Sequence, residues 1–215
     1  MMKIEYADLS EKVYREIRTM ILQGSLLPGE KLKQDQLANH LGISRTPLAA
    51  AFSKLEKEML VELLPRRGAR IRALSSQELL DLYDIRIKLE PLGAEGAAKH
   101  CSADEIDELQ SLLRAYKDIV DSDSAREVRR ADYDFHLAIA RMSGNEALHR
   151  IISAFNIVFI CNQGGLLKPA VQSYQEHIPI VQAIAARDPA AAEQAMRHHL
   201  VDSRDRLVMS VREES

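Results

Sequence analysis

Residues 36–48 read QLANHLGISRTPL. A short apolar-patterned segment ends at Leu41, Gly42 makes a tight turn, and Ser44-Arg45-Thr46-Pro47 opens a second helix. Serine just ahead of a first turn is a favoured N-cap, and proline inside that turn gives up an N–H that no helix carbonyl would have met. Two short helices about a glycine-centred turn form a helix-turn-helix, whose second helix enters the major groove with its N-terminal residues foremost. On this reading Arg45 suits a bidentate contact to guanine. Thr46 suits a phosphate or a thymine methyl, and Ser44 stands beside them.

Working outward, residues 10–24 have Val13, Ile17, Met20 and Ile21 at helical spacing, with Ser10 as an N-cap and Gly24 as a stop. Pro28-Gly29 marks a turn, and residues 34–40 are the first helix of the pair. Beyond Pro47, Leu48, Phe52 and Leu55 share one face of the third helix. Residues 61–64, 65–68 and 69–72 then read as strand, turn and strand. The tip Arg66-Arg67-Gly68, with Arg70 beyond it, makes a basic wing whose cations neutralise phosphates or enter the minor groove. Glycine at the tip permits the turn and a close backbone approach. Any three-helix cluster can hold a tight turn, and surface arginines are common. The order helix, helix, capped helix, basic hairpin is what favours a nucleic-acid reader.

Charge agrees with this division. Residues 1–74 hold 13 Lys/Arg against 9 Asp/Glu, whereas the whole 215-residue chain has a net charge of −3, so the remainder is acidic. A basic segment joined to an acidic body suits DNA binding by the first. Apolar residues at 46% and charged residues at 28% describe an ordinary globular protein. No apolar run approaches a membrane span and no secretory leader is recognisable, so a cytoplasmic protein is expected. Cys101 and Cys161 lie too far apart for a CxxC motif and read as free thiols.

After Leu74 the pattern is helical throughout, in segments near 76–98, 102–120, 124–142, 145–162, 171–186 and 189–211. The breaks fall at Asp121-Ser122-Asp123, Ser143-Gly144-Asn145, Gly164-Gly165 to Pro169, and Asp188-Pro189. The expected fold is mainly α. A winged helix-turn-helix of three helices and a two-stranded wing covers residues 1–74, and an antiparallel all-α bundle of about six helices covers 75–215.

Four residues of the bundle stand out. Asp132 and His136, four apart, share a helix face with Phe135, Ile139 and Met142, while Asp134 points the other way. His177 borders Tyr174, Ile180, Val181 and Ile184, and His199 borders Ala192, Ala195, Met196 and Ser203. Three imidazoles and one carboxylate suit zinc, nickel, iron or manganese with a position left open. The alternative is that each histidine is a hydrogen-bonded core residue, since periodicity does not show that they converge. Arg86 and Glu90 flank the apolar seam Leu82, Ile85, Leu89 and Leu92, either as an i,i+4 ion pair on the rim or with Arg86 as the clamp for an effector carboxylate. His40, His100, His149 and His198 read as surface residues.

The segments LPGEKL, QLANHLGISRTPL and KLEKEMLVELLPRRGARI resemble the GntR family of bacterial regulators over residues 10–74. Two departures are visible. Ala49-Ala50 stand where the family carries an Arg-Glu pair whose arginine contacts DNA, and Asp35 stands where some members have a basic residue. The resemblance therefore implies a head with altered affinity or specificity, or one that leans on the wing. Residues 78–209 are similar to the FCD ligand-sensing domain of the FadR subfamily, through IRIKLEPLGAEGAA, DYDFHLAIARMSGN and EHIPIVQAIAARDPAAAEQAMRHHL. In metal-binding members the matching positions are ligands, which implies Asp132, His136, His177 and His199 here. The resemblance also implies an effector pocket lined by Arg86, to which we add Glu90. Pro179, two residues after His177, makes the aim of that histidine uncertain unless it lies in a first turn.

The residues and the resemblance together imply a regulator that binds operator DNA and responds to a small carboxylate bound near a divalent metal, and the resemblance and the two-fold symmetry of operators imply a homodimer. The competing expectations are a metal-dependent enzyme on the bundle, for which no general base is evident, and a regulator whose metal is purely structural.

Overall fold

The computed structural model describes residues 3–65, 67–120, 124–162 and 168–213. The chain divides into two compact units, Met1–Leu74 and, apart from Ile160–Asn162, the chain from Ser75 onward.

In the first unit the order is α1 (Lys3–Leu22), β1 (Lys31–Leu32), α2 (Gln34–Leu41), α3 (Arg45–Lys57), β2 (Val61–Leu64) and β3 (Gly68–Ile71). Helix α1 begins seven residues before Ser10, because residues 3–9 contain no glycine or proline to stop it. Val13, Ile17 and Ile21 bury one face of α1, and Leu48, Ala51, Phe52 and Leu55 bury one face of α3. Tyr14 donates to Glu58, which also pairs with Arg18 at 3.2 Å, tying α1 to the end of α3. Gly42 ends α2 in the left-handed region at φ 65°, its N–H reaching the carbonyls of Ala38 and Asn39. Ser44 occupies the N-cap of α3 with extended backbone, although its side chain makes no capping bond.

The wing has three strands, not two. β3 lies centrally, antiparallel to β2 (Val61 opposite Ile71, Leu64 opposite Gly68) and to β1 (Lys31 opposite Arg70, Leu32 opposite Ala69). A two-residue strand has no periodicity to read, so only pairing reveals it. Gly68 is required by this third strand. Its φ is +101°, and a Cβ there would stand 2.1 Å from the Leu32 carbonyl oxygen.

The second unit holds α4 (Ser76–His100), α5 (Ala103–Ile119), α6 (Ala125–Met142), α7 (Glu146–Asn162), α8 (Ala170–Ala185) and α9 (Pro189–Glu213). Capping boxes start α4 and α5: Ser75 with Glu78 and Ser102 with Glu105 each satisfy two orphan N–H groups. Tyr83, Leu109, Phe135, Ile139, Ile180 and Met196, drawn from every helix but α7, lie in one apolar core. Two helices contain internal prolines. Pro91 cannot bond the carbonyl of Ile87, and Nη1 of Arg197 on α9 does so instead at 3.1 Å. Pro179 sits mid-helix on the exposed side of α8, where water can serve the Gln175 carbonyl. Cys101 is a buried free thiol that accepts from Nη1 of Arg187 at 3.3 Å. The side chain of Cys161 and the expected breaks at 121–123 and 164–167 lie outside the described residues.

Candidate metal centre and DNA-reading head

The four ligand candidates come together. Asp132, His136, His177 and His199, from α6, α8 and α9, each place a donor atom within 4.8 Å of the others, and all three histidines are buried. Nε2 of His136 and Nε2 of His199 are 3.2 Å apart. The Asp132 carboxylate lies 3.5 Å from Nε2 of His177 and 3.9 Å from Nε2 of His136. Donors about 2.0–2.1 Å from zinc on tetrahedral directions stand about 3.4 Å from one another, so the observed separations bracket what such an ion requires. His177 adds a second test of fit. It is fully buried, and neither ring nitrogen has a hydrogen-bond partner among the described residues. An unsatisfied buried polar group of this kind costs about 1–3 kcal/mol, which a ligand bond would recover.

Local packing holds these rings in place. His177 stacks on Phe135 with centroids 4.0 Å apart, and the Tyr116 ring tilts against it at 5.3 Å. Pro179 does not misdirect His177 despite its mid-helix position. Ser173 donates to Oδ1 of Asp132 at 3.2 Å. Burial, followed by the neighbouring imidazoles, holds His177 and His199 well below the ordinary histidine range, so both are neutral lone-pair donors at neutral pH.

Arg86 and Glu90 are not on the rim. They are 5% and 2% exposed, whereas Ile85 and Leu92 of the expected seam are 38% and 48% exposed. Helix α4 is rotated so that the ion pair faces the centre. Nε of Arg86 lies 2.5 Å from Oε1 of Glu90, and Oε2 of Glu90 lies 2.6 Å from Nδ1 of His136. Burial pushes Glu90 up, but Arg86 and His136 outweigh it and hold the carboxylate ionised well below its usual range. Two residues not anticipated from sequence complete the surroundings. Glu176 accepts from Nδ1 of His199 at 2.8 Å, and buried Lys168 pairs with Glu176 and donates to the His199 carbonyl at 3.1 Å. Glu176 could have been suspected from its place beside His177; Lys168 carries no such signal.

In the head, Ser44, Arg45 and Thr46 are exposed at the start of α3, as are Ala49 and Ala50. Arg45, Arg67 and Arg70 line one cleft of about 1020 Å³ with Lys31 and Lys33, two cations the sequence reading passed over. Asp35 lines it too and pairs with Nε of Arg45 at 2.7 Å. Arg66 lies outside the described residues. Gly68 is buried and shapes the sheet beneath the cleft. Of the other histidines, His40, His100 and His198 are exposed and His149 is half-buried.

Comparison with known proteins agrees with both halves. Residues 9–71 match the family described as bacterial regulatory proteins, gntR family, and residues 81–202 match the FCD domain. The chain is 31% identical over 184 residues to the "Probable D-xylose utilization operon transcriptional repressor" of Paenarthrobacter nicotinovorans, covering 84% of this chain and 80% of that one. Among solved structures, E. coli McbR/YncC superposes with a TM-score of 0.78 at 20% identity, covering 94% of this chain and 98% of that one. The "Metal-free FCD domain of TM0439" superposes with a TM-score of 0.53 at 21% identity, covering 66% of this chain and 99% of that one.

Proposed function

This chain belongs to the GntR family of bacterial regulators, with the C-terminal FCD domain of the FadR-type subfamily, and we propose that it is a cytoplasmic operator-binding homodimer governed by a small organic acid bound beside a metal. The observation that carries the proposal is the convergence of three buried imidazoles and one half-buried carboxylate, with Arg86 held nearby through Glu90. That its relatives are transcription regulators supports a sensing role for the centre over turnover.

In this proposal residues 1–74 bind DNA and residues 75–215 bind metal and effector. Arg45 reads a guanine, with Ser44 and Thr46 beside it. Arg66, Arg67 and Arg70 take phosphates on the tip shaped by Gly68. Asp132, His136, His177 and His199 hold a zinc, nickel, manganese or iron ion, which supplies an electrophilic position for an oxygen ligand. Arg86 supplies the positive charge that complements an effector carboxylate. Glu90 keeps Arg86 and His136 in register. Two copies on an inverted repeat would place two recognition helices one helical turn apart.

The test is DNA protection on fragments flanking the coding region, with salt varied and a panel of carboxylic acids added, before and after chelation. The proposal expects a protected inverted repeat, affinity falling steeply with salt, and one acid that shifts binding only in the metal-loaded protein. Binding that no acid shifts, together with a large loss of melting temperature on chelation, would make the ion a structural one. Salt-sensitive binding without sequence preference would mean that the head has lost specificity with Ala49 and Ala50.

A further inference from the structure

Two of the three ligand histidines have a carboxylate behind them, and each carboxylate has its own buried cation. On one side the order is Arg86, Glu90, His136, and on the other Lys168, Glu176, His199. Glu90 meets Nδ1 of His136 at 2.6 Å, and Glu176 meets Nδ1 of His199 at 2.8 Å. In both rings the opposite nitrogen, Nε2, faces the centre, where the two atoms are 3.2 Å apart. A carboxylate at Nδ1 favours the tautomer that carries its proton there, which leaves the Nε2 lone pair exposed. Two lone pairs at that distance repel unless a cation lies between them. Oε2 of Glu90 and Nδ1 of His136 find no properly directed hydrogen-bond partner among the described residues, although the two atoms are 2.6 Å apart. His177 differs, since among the described residues no carboxylate backs its Nδ1, and its ring is held by stacking on Phe135.

We propose that Glu90 and Glu176 are positioning residues for the metal. Each fixes the tautomer and the aim of one histidine and makes it a stronger donor, while Arg86 and Lys168 pair with the carboxylates and hold them in place. This rests on the metal reading above. It reassigns Glu90 from the effector to the ion and adds Glu176 and Lys168 to the centre. His177 lacks such support among the described residues.

The test uses the full chain, zinc as the metal, and the variants Glu176→Gln and Glu90→Gln, each near its parent in shape but without the charge. Zinc affinity is measured by competition with a chromophoric chelator, and imidazole N–H signals by NMR with labelled histidine. Zinc-loaded wild type is expected to show slowly exchanging Nδ1–H protons on His136 and His199. Each variant should lose zinc affinity by about 10–100-fold. Glu176→Gln should shift the His199 signal alone, and Glu90→Gln the His136 signal alone. A general loss of structure would move both signals together, so this selectivity separates positioning from folding. Wild-type zinc affinity in both variants with unshifted signals would overturn the inference while leaving the metal site standing, as would coordination of His136 or His199 through Nδ1. Failure of wild type itself to bind zinc or any other divalent ion would remove the metal reading and this inference with it.

Discussion

At the scale of the residue, the head depends on a few side chains whose consequences can be separated. Gly68 combines a left-handed φ of +101° with a Cβ position 2.1 Å from the Leu32 carbonyl oxygen, so Gly68→Ala must displace β1. Strain of this kind costs about 1–3 kcal/mol, and thermal melting should show destabilisation with weakened DNA binding. Asp35 and Arg45 are 63% and 72% exposed, so their ion pair adds little to stability. Asp35→Asn is therefore expected to melt like the parent. It should bind nonspecific DNA more tightly, because a negative charge leaves a cleft lined by Lys31, Lys33, Arg45, Arg67 and Arg70. Salt titration on random-sequence DNA reads this directly, and unchanged affinity would place Asp35 outside the contact surface.

At the scale of the element, the helices of the second unit carry defects that tertiary contacts repair. Pro91 would leave the Ile87 carbonyl unmet inside α4, and Arg197 of α9 supplies the missing donor at 3.1 Å. Arg197→Met should cost about 1 kcal/mol in chemical denaturation. In a Pro91→Ala background, where the helix can meet its own carbonyl, the same substitution should cost less. Equal costs in both backgrounds would show that Arg197 acts elsewhere, for instance through its exposed pair with Glu193. Helix α8 tolerates Pro179 differently, by turning it outward while His177 stays buried on the opposite side.

At the scale of the whole molecule, the buried histidines tie folding to pH. Burial first, then neighbouring imidazoles, lowers His177 and His199 well below 6.5 in the folded state. Above about pH 6.5 both states are unprotonated at these rings and nothing is lost. Below it the unfolded chain takes up protons that the native chain refuses, so stability falls as pH drops. Metal-free protein should therefore melt at a lower temperature at pH 5.5 than at pH 7.5. Added zinc should raise melting at pH 7.5 by more than at pH 5.5, since protons compete for the same lone pairs. A flat pH profile in the metal-free protein would mean that these rings are solvated. Among the described residues no helix is long and apolar enough to cross a membrane, and Ile85 and Leu92 of the apolar seam on α4 are exposed.

Much of this was written into the order of residues. Local rules sufficed where the deciding interaction lies within one turn: the glycine turn at Gly42, the N-cap position of Ser44 at the start of α3, and the face shared by Asp132 and His136. Periodicity also told which side of each helix His177 and His199 occupy. It could not tell how one helix is rotated or offset against another, because that depends on the joint packing of all six. Tertiary structure alone decided that four donors from three helices meet within 4.8 Å, that Arg86 and Glu90 turn inward, and that Glu176 and Lys168 stand behind His199. It likewise decided the third wing strand, whose two residues gain their structure from pairing with β3 and from no pattern of their own.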